Sequence, residues 1–387
     1  MLWAAAALAS LTTAFAFSAA PAGPVFELHQ ALDKPVIGSA LAHSKPGGPN
    51  SGFEGGLYFK TADGMYHNFP SECMLDRKGV PWDIHMQSHD WVSPDGVSNW
   101  TRGALIYDSS GKMDGSDRRG AIWAPMSVYD SATKHWNMFY VGYTCDPGQV
   151  DGAIYRLVSQ TAGPAGVAGP YPKENASIIL DLEGAGGSSA FWEGTAKDQG
   201  DDSFFPWRLD NGTWVGFFGV HDKTGDAGKT PADPTGTRTW KVGLASSESL
   251  AGPWKRLNSL NPSEYIETPE GIENPIVTRT TDKKWYVAVY DALMKDQIHG
   301  ADDVVGMSFS ADGIHFGKAQ YVKLNATTSG CGSPVRTPQG LVPEPEKCKG
   351  CYSMLYTGHG PGSYHAGAGS GGYSNICWVM LRNTAEI

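Results

Sequence analysis

Apolar residues recur along this chain in short runs with a period of two, interrupted by polar or glycine-containing turns. One unit repeats: an apolar strand, a tight turn, then a second strand of alternating aromatics. It appears as Leu57–Lys60 with Met65–Phe69, Met126–Tyr129 with His135–Tyr140, and Phe204–Arg208 with Thr213–Phe218. It appears again as Ile276–Arg279 with Trp285–Tyr290 and as Leu341–Glu344 with Cys351–Tyr356. In the second strands Trp136, Met138 and Tyr140 share one face, as do Tyr352, Met354 and Tyr356. A third element follows some copies, a Ser-x-Asp-Gly turn ending on an aromatic, at Ser93–Trp100 and Ser310–Phe316. Ser246–Trp254 ends in a related way.

The units start near Glu54, Trp123, Asp201, Glu273 and Pro338, at intervals of about 65 to 78 residues, the long period expected of a repeat architecture. Five hairpin-based units predict an all-β chain folded as a five-bladed β-propeller, in which radial repetition leaves only short edges. A β-sandwich would turn every 8–12 residues without the longer period. Residues 158–200, rich in Gly, Ala, Pro and Ser, read as the outer edge of the second unit plus a loop. Residues 21–387 are therefore expected to form a single propeller domain.

Composition agrees with this reading. The chain has 387 residues, 49 of them Gly and 25 Pro, with only 18% charged residues. A helical bundle would favour Ala, Leu, Glu and Lys over glycine. The 13 Trp, 16 Tyr and 14 Phe argue against disorder. A net charge of −10 without any Lys/Arg-rich run argues against nucleic acid as a partner.

The N-terminus changes the expected compartment. Residues 1–20 carry no charge, include the apolar run Leu2–Leu11 and end near Ala14–Ala16 or Ser18–Ala20, the small-residue pattern of signal-peptide cleavage. The stretch is too short and too rich in Ala, Ser and Thr for a membrane anchor, so a secreted protein without a membrane partner is expected. Six cysteines, at positions 73, 145, 331, 348, 351 and 377, suit disulfides in an oxidising compartment. Cys348-x-x-Cys351 has no second CxxC or HxxxH to complete a zinc site, and no metal is assigned. Sequons at Asn99, Asn175, Asn211 and Asn325 predict a glycosylated surface.

Chemistry is expected where the first strands begin, because these line the propeller axis. Of the five starting positions, Glu54, Asp201 and Glu273 are acidic. Trp123–Pro125, then Asp201–Phe205, then Glu273–Pro275 resemble, in order, the motif series of the glycoside hydrolase family 43 group. Those enzymes are five-bladed arabinanases, arabinofuranosidases and xylosidases whose series runs D-P, W-A-P-D, D-P-S-F-F and E-G-P. The resemblance spans roughly residues 45–380. It implies a general base at Glu54, a pKa-modulating carboxylate at Asp201 (or Asp202, one residue off register) and a general acid at Glu273. Such a trio suits hydrolysis with inversion, in which an acid protonates the leaving oxygen while a base activates water on the opposite face. A neighbouring carboxylate keeps the acid protonated by like-charge repulsion.

The departures are specific. Gly-Gly follows Glu54 where the family has Pro, Met126 stands for the Asp of W-A-P-D, and Asn274 follows Glu273. The last-blade G-P-G-H motif is replaced by Arg336–Gln339. Plainer readings stand beside each assignment: Glu54 as a rim acid, Asp201 and Asp202 as turn caps, Glu273 as one of several surface acids, Trp123 as core rather than sugar platform. The second strands end at Glu72, Thr144, His221, Asp291 and His359. The resemblance offers a structural calcium near a histidine, with His221 and His359 as candidates; a hydrogen-bonded pocket histidine that contacts substrate is the alternative. Arg336 either orients substrate or pairs with a rim acid. No cofactor is required. The expected protein is a monomeric, secreted glycosidase of a poly- or oligosaccharide. The rival is a non-catalytic carbohydrate-binding propeller. A retaining fructosidase would need an R-D-P motif that the chain lacks.

Overall fold

The structure is a computed structural model, and it describes residues 23–38, 41, 52–73, 85–146, 149–187, 199–221, 240–257, 266–267, 271–293, 304–324, 331, 335–358 and 375–387. The expected signal peptide, Asn325 and His359 lie outside the described residues, as do the side chains of His221 and Arg336.

The protein is a five-bladed β-propeller, all β apart from short 3-10 turns, and no α-helix occurs among the described residues. Strand β1 (Phe26–Ala31) precedes the first blade. Blade 1 runs β2 (Gly52–Lys60), β3 (Tyr66–Cys73), β4 (Met86–Ser93) and β5 (Thr101–Asp108). Blade 2 runs β6 (Ala121–Asp130), β7 (His135–Asp146), β8 (Gln149–Val158) and β9 (Ser177–Leu180), the last lying in the segment read as an outer edge. Blade 3 runs β10 (Gln199–Arg208), β11 (Trp214–His221), β12 (Trp240–Ser247) and β13 (Lys255–Arg256). Strand β14 (Ile266–Glu267) leads into blade 4, which runs β15 (Gly271–Arg279), β16 (Tyr286–Leu293) and β17 (Val304–Ser310). There β18 (Phe316–Lys318) pairs with β14, and β19 (Gln320–Lys323) forms the outer strand. Blade 5 runs β20 (Val335–Pro343), β21 (Cys351–Gly358) and β22 (Asn375–Asn383), with β1 as its outer strand.

The N-terminal strand thus completes the last blade. Hydrophobic periodicity does not reveal this, because β1 (FELHQA) is short and mostly solvent-facing. Phe26 anchors it, 5% exposed, edge-on to Tyr352 at 5.2 Å and stacked with Phe309 of blade 4 at 5.9 Å. The inner strands pack in sequence around the ring, β2 on β6, β6 on β10, β10 on β15, β15 on β20 and β20 on β2. The blade 5–blade 1 seam is held by buried Glu344, which accepts from Tyr66 Oη at 2.7 Å and Ser353 Oγ at 2.6 Å, with Lys347 Nζ at 3.1 Å. Cys331–Cys377 bridges into β22, and Cys348–Cys351 closes the β20–β21 turn.

The Ser-x-Asp-Gly segments form the same turn twice. Ser93 Oγ accepts from Gly96 N at 3.0 Å and Ser310 Oγ from Gly313 N at 2.8 Å. Asp95 then receives the Val97 and Ser98 amides, and Asp312 those of Ile314 and His315. Both glycines have positive φ, 74° and 77°, and both press on a tyrosine of their own blade. A Cβ on Gly96 would stand 2.6 Å from Tyr58 Oη.

Candidate functional site

All five inner strands break register at the same level. The shift follows Glu54 in β2, Trp123 in β6, Asp201 in β10, Glu273 in β15 and Arg336 in β20. Bulges of this kind release a strand from its neighbour and re-aim its side chains. They also explain the prolines: Pro125 and Pro275 fall where the ladder is open, so their missing N–H groups cost little. The backbone just before those prolines is left-handed, with φ of 47° at Ala124 and 51° at Asn274, and Gly55 takes the matching position with 55°. Such conformations in non-glycine residues persist only where the surroundings enforce them. For Ala124 the enforcing bond is its amide to Ser71 Oγ at 3.1 Å, across the blade 1–2 seam.

Glu54, Trp123, Asp201 and Glu273 are each the third residue of their inner strand. In blade 5 that place belongs to Thr337, not Pro338, because β20 starts at Val335. Thr337 is fully buried, and a Cβ added to Gly55 would lie 3.8 Å from its methyl group. Gln339 Nε2 donates to Gly55 O at 2.7 Å, tying blade 5 to the backbone beside Glu54.

Blades 1, 2 and 3 meet through a chain of polar contacts. Trp123 Nε1 donates to Glu54 Oε2 at 3.3 Å. The Trp123 ring stands edge-on to Tyr143 at 5.6 Å, and Tyr143 Oη donates to Asp202 Oδ1. Trp123 and Glu54 are half-buried, whereas Asp202 is 7% exposed. Trp123 therefore does more than fill core: its N–H aims the carboxylate.

Asp201 sits differently. Its Oδ2 meets Arg256 Nη2 of β13 at 2.8 Å, with both side chains at 1% exposure or less. Arg256 also lies over the Phe218 ring and donates to Ala185 O at 2.8 Å. The Asp201 charge is thus balanced within the blade 2–3 seam. Glu273, 6% exposed, is paired across β15–β16 with Asp291, 5% exposed. No surface reading suits either residue.

Sequence reasoning did not single out Tyr143 and Arg256, which donate to Asp202 and Asp201, or Gln339, which donates to Gly55 O. Each is separated from its contact by more than 50 residues, and no local spacing signals such a pairing. Asn99, Asn175 and Asn211 are exposed. His29, the bulged residue of β1, brings a ring nitrogen within 4.8 Å of the Cys348 and Cys351 sulfurs. Those sulfurs are joined to each other, which leaves no thiolate to bind a metal.

These observations define a five-bladed propeller with carboxylates at the bulged end of its inner strands, and solved structures share the architecture. No family sequence model matches the chain, and no curated protein matches it. A family 117 glycoside hydrolase, Zg3597 of the marine bacterium Zobellia galactanivorans, superposes with a TM-score of 0.56 at 13% identity, over 93% of this chain and 90% of that one. A protein of unknown function from Dyadobacter fermentans gives 0.53 at 12% identity, over 92% and 99%. An endo-arabinase from Bacteroides thetaiotaomicron gives 0.50 at 11% identity, over 89% and 96%. The likeness is one of fold, and it runs through nearly the whole length of each chain.

Proposed function

We propose that the protein hydrolyses glycosidic bonds of a poly- or oligosaccharide with inversion, in a pocket at the bulged end of the inner strands. Glu273 is the general acid and Glu54 the general base. The observation that carries this reading is the shared bulge, which sets Glu54 and Glu273 at one level of the ring on strands that are distant in sequence. Burial suits the acid, since removal from water favours the neutral carboxyl. Glu54 suits the base, since it is more open and accepts an N–H bond that favours its charged form. Trp123 offers its remaining ring surface to a sugar. Secretion, removal of the leader and glycosylation at the exposed Asn99, Asn175 and Asn211 belong to the same proposal.

The rival reading is a carbohydrate-binding propeller without catalysis, favoured by Met126, whose buried thioether stands where the family places a carboxylate. A hydrolysis screen across aryl glycosides and polysaccharides separates the two, with Glu273→Gln as control. Cleavage that the control loses supports the enzyme; binding to a glycan without cleavage by the wild type supports the rival.

A further inference from the structure

We infer that Cys348, Cys351 and His29 form a zinc site when the Cys348–Cys351 disulfide is reduced. It lies at the β20–β21 turn, the end of blade 5 away from the bulges. The sequence offers the CxxC pair without further ligands, and the fold supplies a third from the other end of the chain. His29 is the bulged residue of β1. Leu28 pairs with Leu381 and Gln30 with Met380, so β22 holds the strand on both sides of it, and the bulge re-aims the side chain. A ring nitrogen of His29 and the two sulfurs all lie within 4.8 Å of one another. Zinc takes thiolate at about 2.3 Å and imidazole at about 2.0–2.1 Å, so donors around one ion stand about 3.5–4 Å apart. His29 is exposed and makes no hydrogen bond among the described residues, which leaves its ring free to turn onto a metal.

The turn holds the cysteines without the S–S bond. Cys351 N donates to Cys348 O at 3.1 Å, Glu344 N to Cys351 O at 2.8 Å and Asn383 N to Gly350 O at 2.7 Å. The two Cα atoms are 5.3 Å apart. The bridge spans a sequence separation of 3, against 46 for Cys331–Cys377, so it constrains the unfolded chain far less, and its opening leaves the fold in place. It is also the more accessible bridge, since Cys348 is half-buried whereas Cys331 and Cys377 are at 1% exposure or less. Lys347 and Lys349 flank Cys348, and Arg382 is the cross-strand partner of Cys351. Such cations favour thiolate over thiol. The opening step is exchange with a thiol reductant: two R–SH become one R–S–S–R, and the two cysteines gain two electrons and two protons. Zinc then displaces both protons. It is held by two thiolates and a neutral imidazole, with a fourth position left to water. Exchange in the reverse direction remakes the disulfide and releases the ion.

The full chain is treated with a phosphine reductant under argon, without denaturant, and titrated with Co2+ as a spectroscopic probe and then with Zn2+. The reduced wild type develops a cobalt–thiolate charge-transfer band that Zn2+ abolishes, and the oxidised protein develops none. The double variant Cys348→Ser, Cys351→Ser lacks the band. His29→Ala, at an exposed position, keeps the fold and weakens Zn2+ binding at least about tenfold in competition with a chromophoric chelator. A band that survives in the double variant assigns the metal to other thiols and overturns the inference. Undiminished Zn2+ affinity in His29→Ala overturns it too, and this arm decides the point even where the double variant fails to fold. So does a reduced wild type that gives no band, or that loses its fold by far-ultraviolet circular dichroism.

Discussion

At the scale of residues, the site is organised by groups that act on carboxylates rather than by the carboxylates alone. Trp123 donates to Glu54, Tyr143 to Asp202, and Arg256 to Asp201. Trp123→Phe keeps an aromatic edge for Tyr143 but removes the N–H. The Glu54 carboxylate then loses a bond to its charged form, and its pKa rises. The expected result is an acidic limb of kcat/KM that moves up by up to about one pH unit, with kcat/KM at neutral pH falling less than about tenfold. A pH–rate series on the purified variant checks this. The candidate carboxylates were legible in the sequence because each opens a repeat, a position fixed by counting. Their partners were not, because Tyr143 and Asp202 or Gln339 and Gly55 meet only once the blades close into a ring. Blade 5 shows the limit of counting: two register shifts in β20 move the equivalent position to Thr337.

At the scale of elements, the hairpins were readable from period-two alternation and the outer turns from Ser-x-Asp-Gly. Gly96 is demanded by its φ of 74° and by the Tyr58 hydroxyl against it, so Gly96→Ala costs roughly 1–3 kcal/mol in urea unfolding. The same change at Gly64, also at positive φ but with open space around it, is expected to cost less. The blade 2–3 junction carries a pH signature. There β8 runs parallel to β10, with Asp151 opposite Gln199. Burial, helped by the nearby Glu183 charge, pushes the Asp151 carboxyl up to about 6. A folded-state pKa above the unfolded value means that Asp151 favours the fold below about pH 4 and loses that contribution as pH rises through 6. Asp151→Asn is therefore expected to raise the melting temperature at pH 7–8 relative to wild type and to leave it unchanged near pH 3. Solvent screening at this half-exposed group keeps the effect to about 1 kcal/mol or less. Thermal scans at the two pH values read it directly.

At the scale of the whole molecule, five repeats predicted the ring but not its closure. The closing strand β1 lies before the first repeat and carries a pattern too short to stand out. Its hold depends on Phe26, wedged between blades 4 and 5. Phe26→Ala is expected to lower stability by about 3 kcal/mol or more, measured by denaturant unfolding. The ring in turn gives the carboxylates their shared level, and the chemistry proposed for them is inversion at an anomeric carbon. The most direct measurement of that claim is 1H NMR of the first sugar product released by the wild type, taken before mutarotation equilibrates the anomers. A first-formed anomer of configuration opposite to the cleaved bond, with release slowed at least about 100-fold in Glu273→Gln, is the result predicted. A first-formed anomer that keeps the configuration of the cleaved bond, or release that Glu273→Gln leaves unchanged, would contradict it.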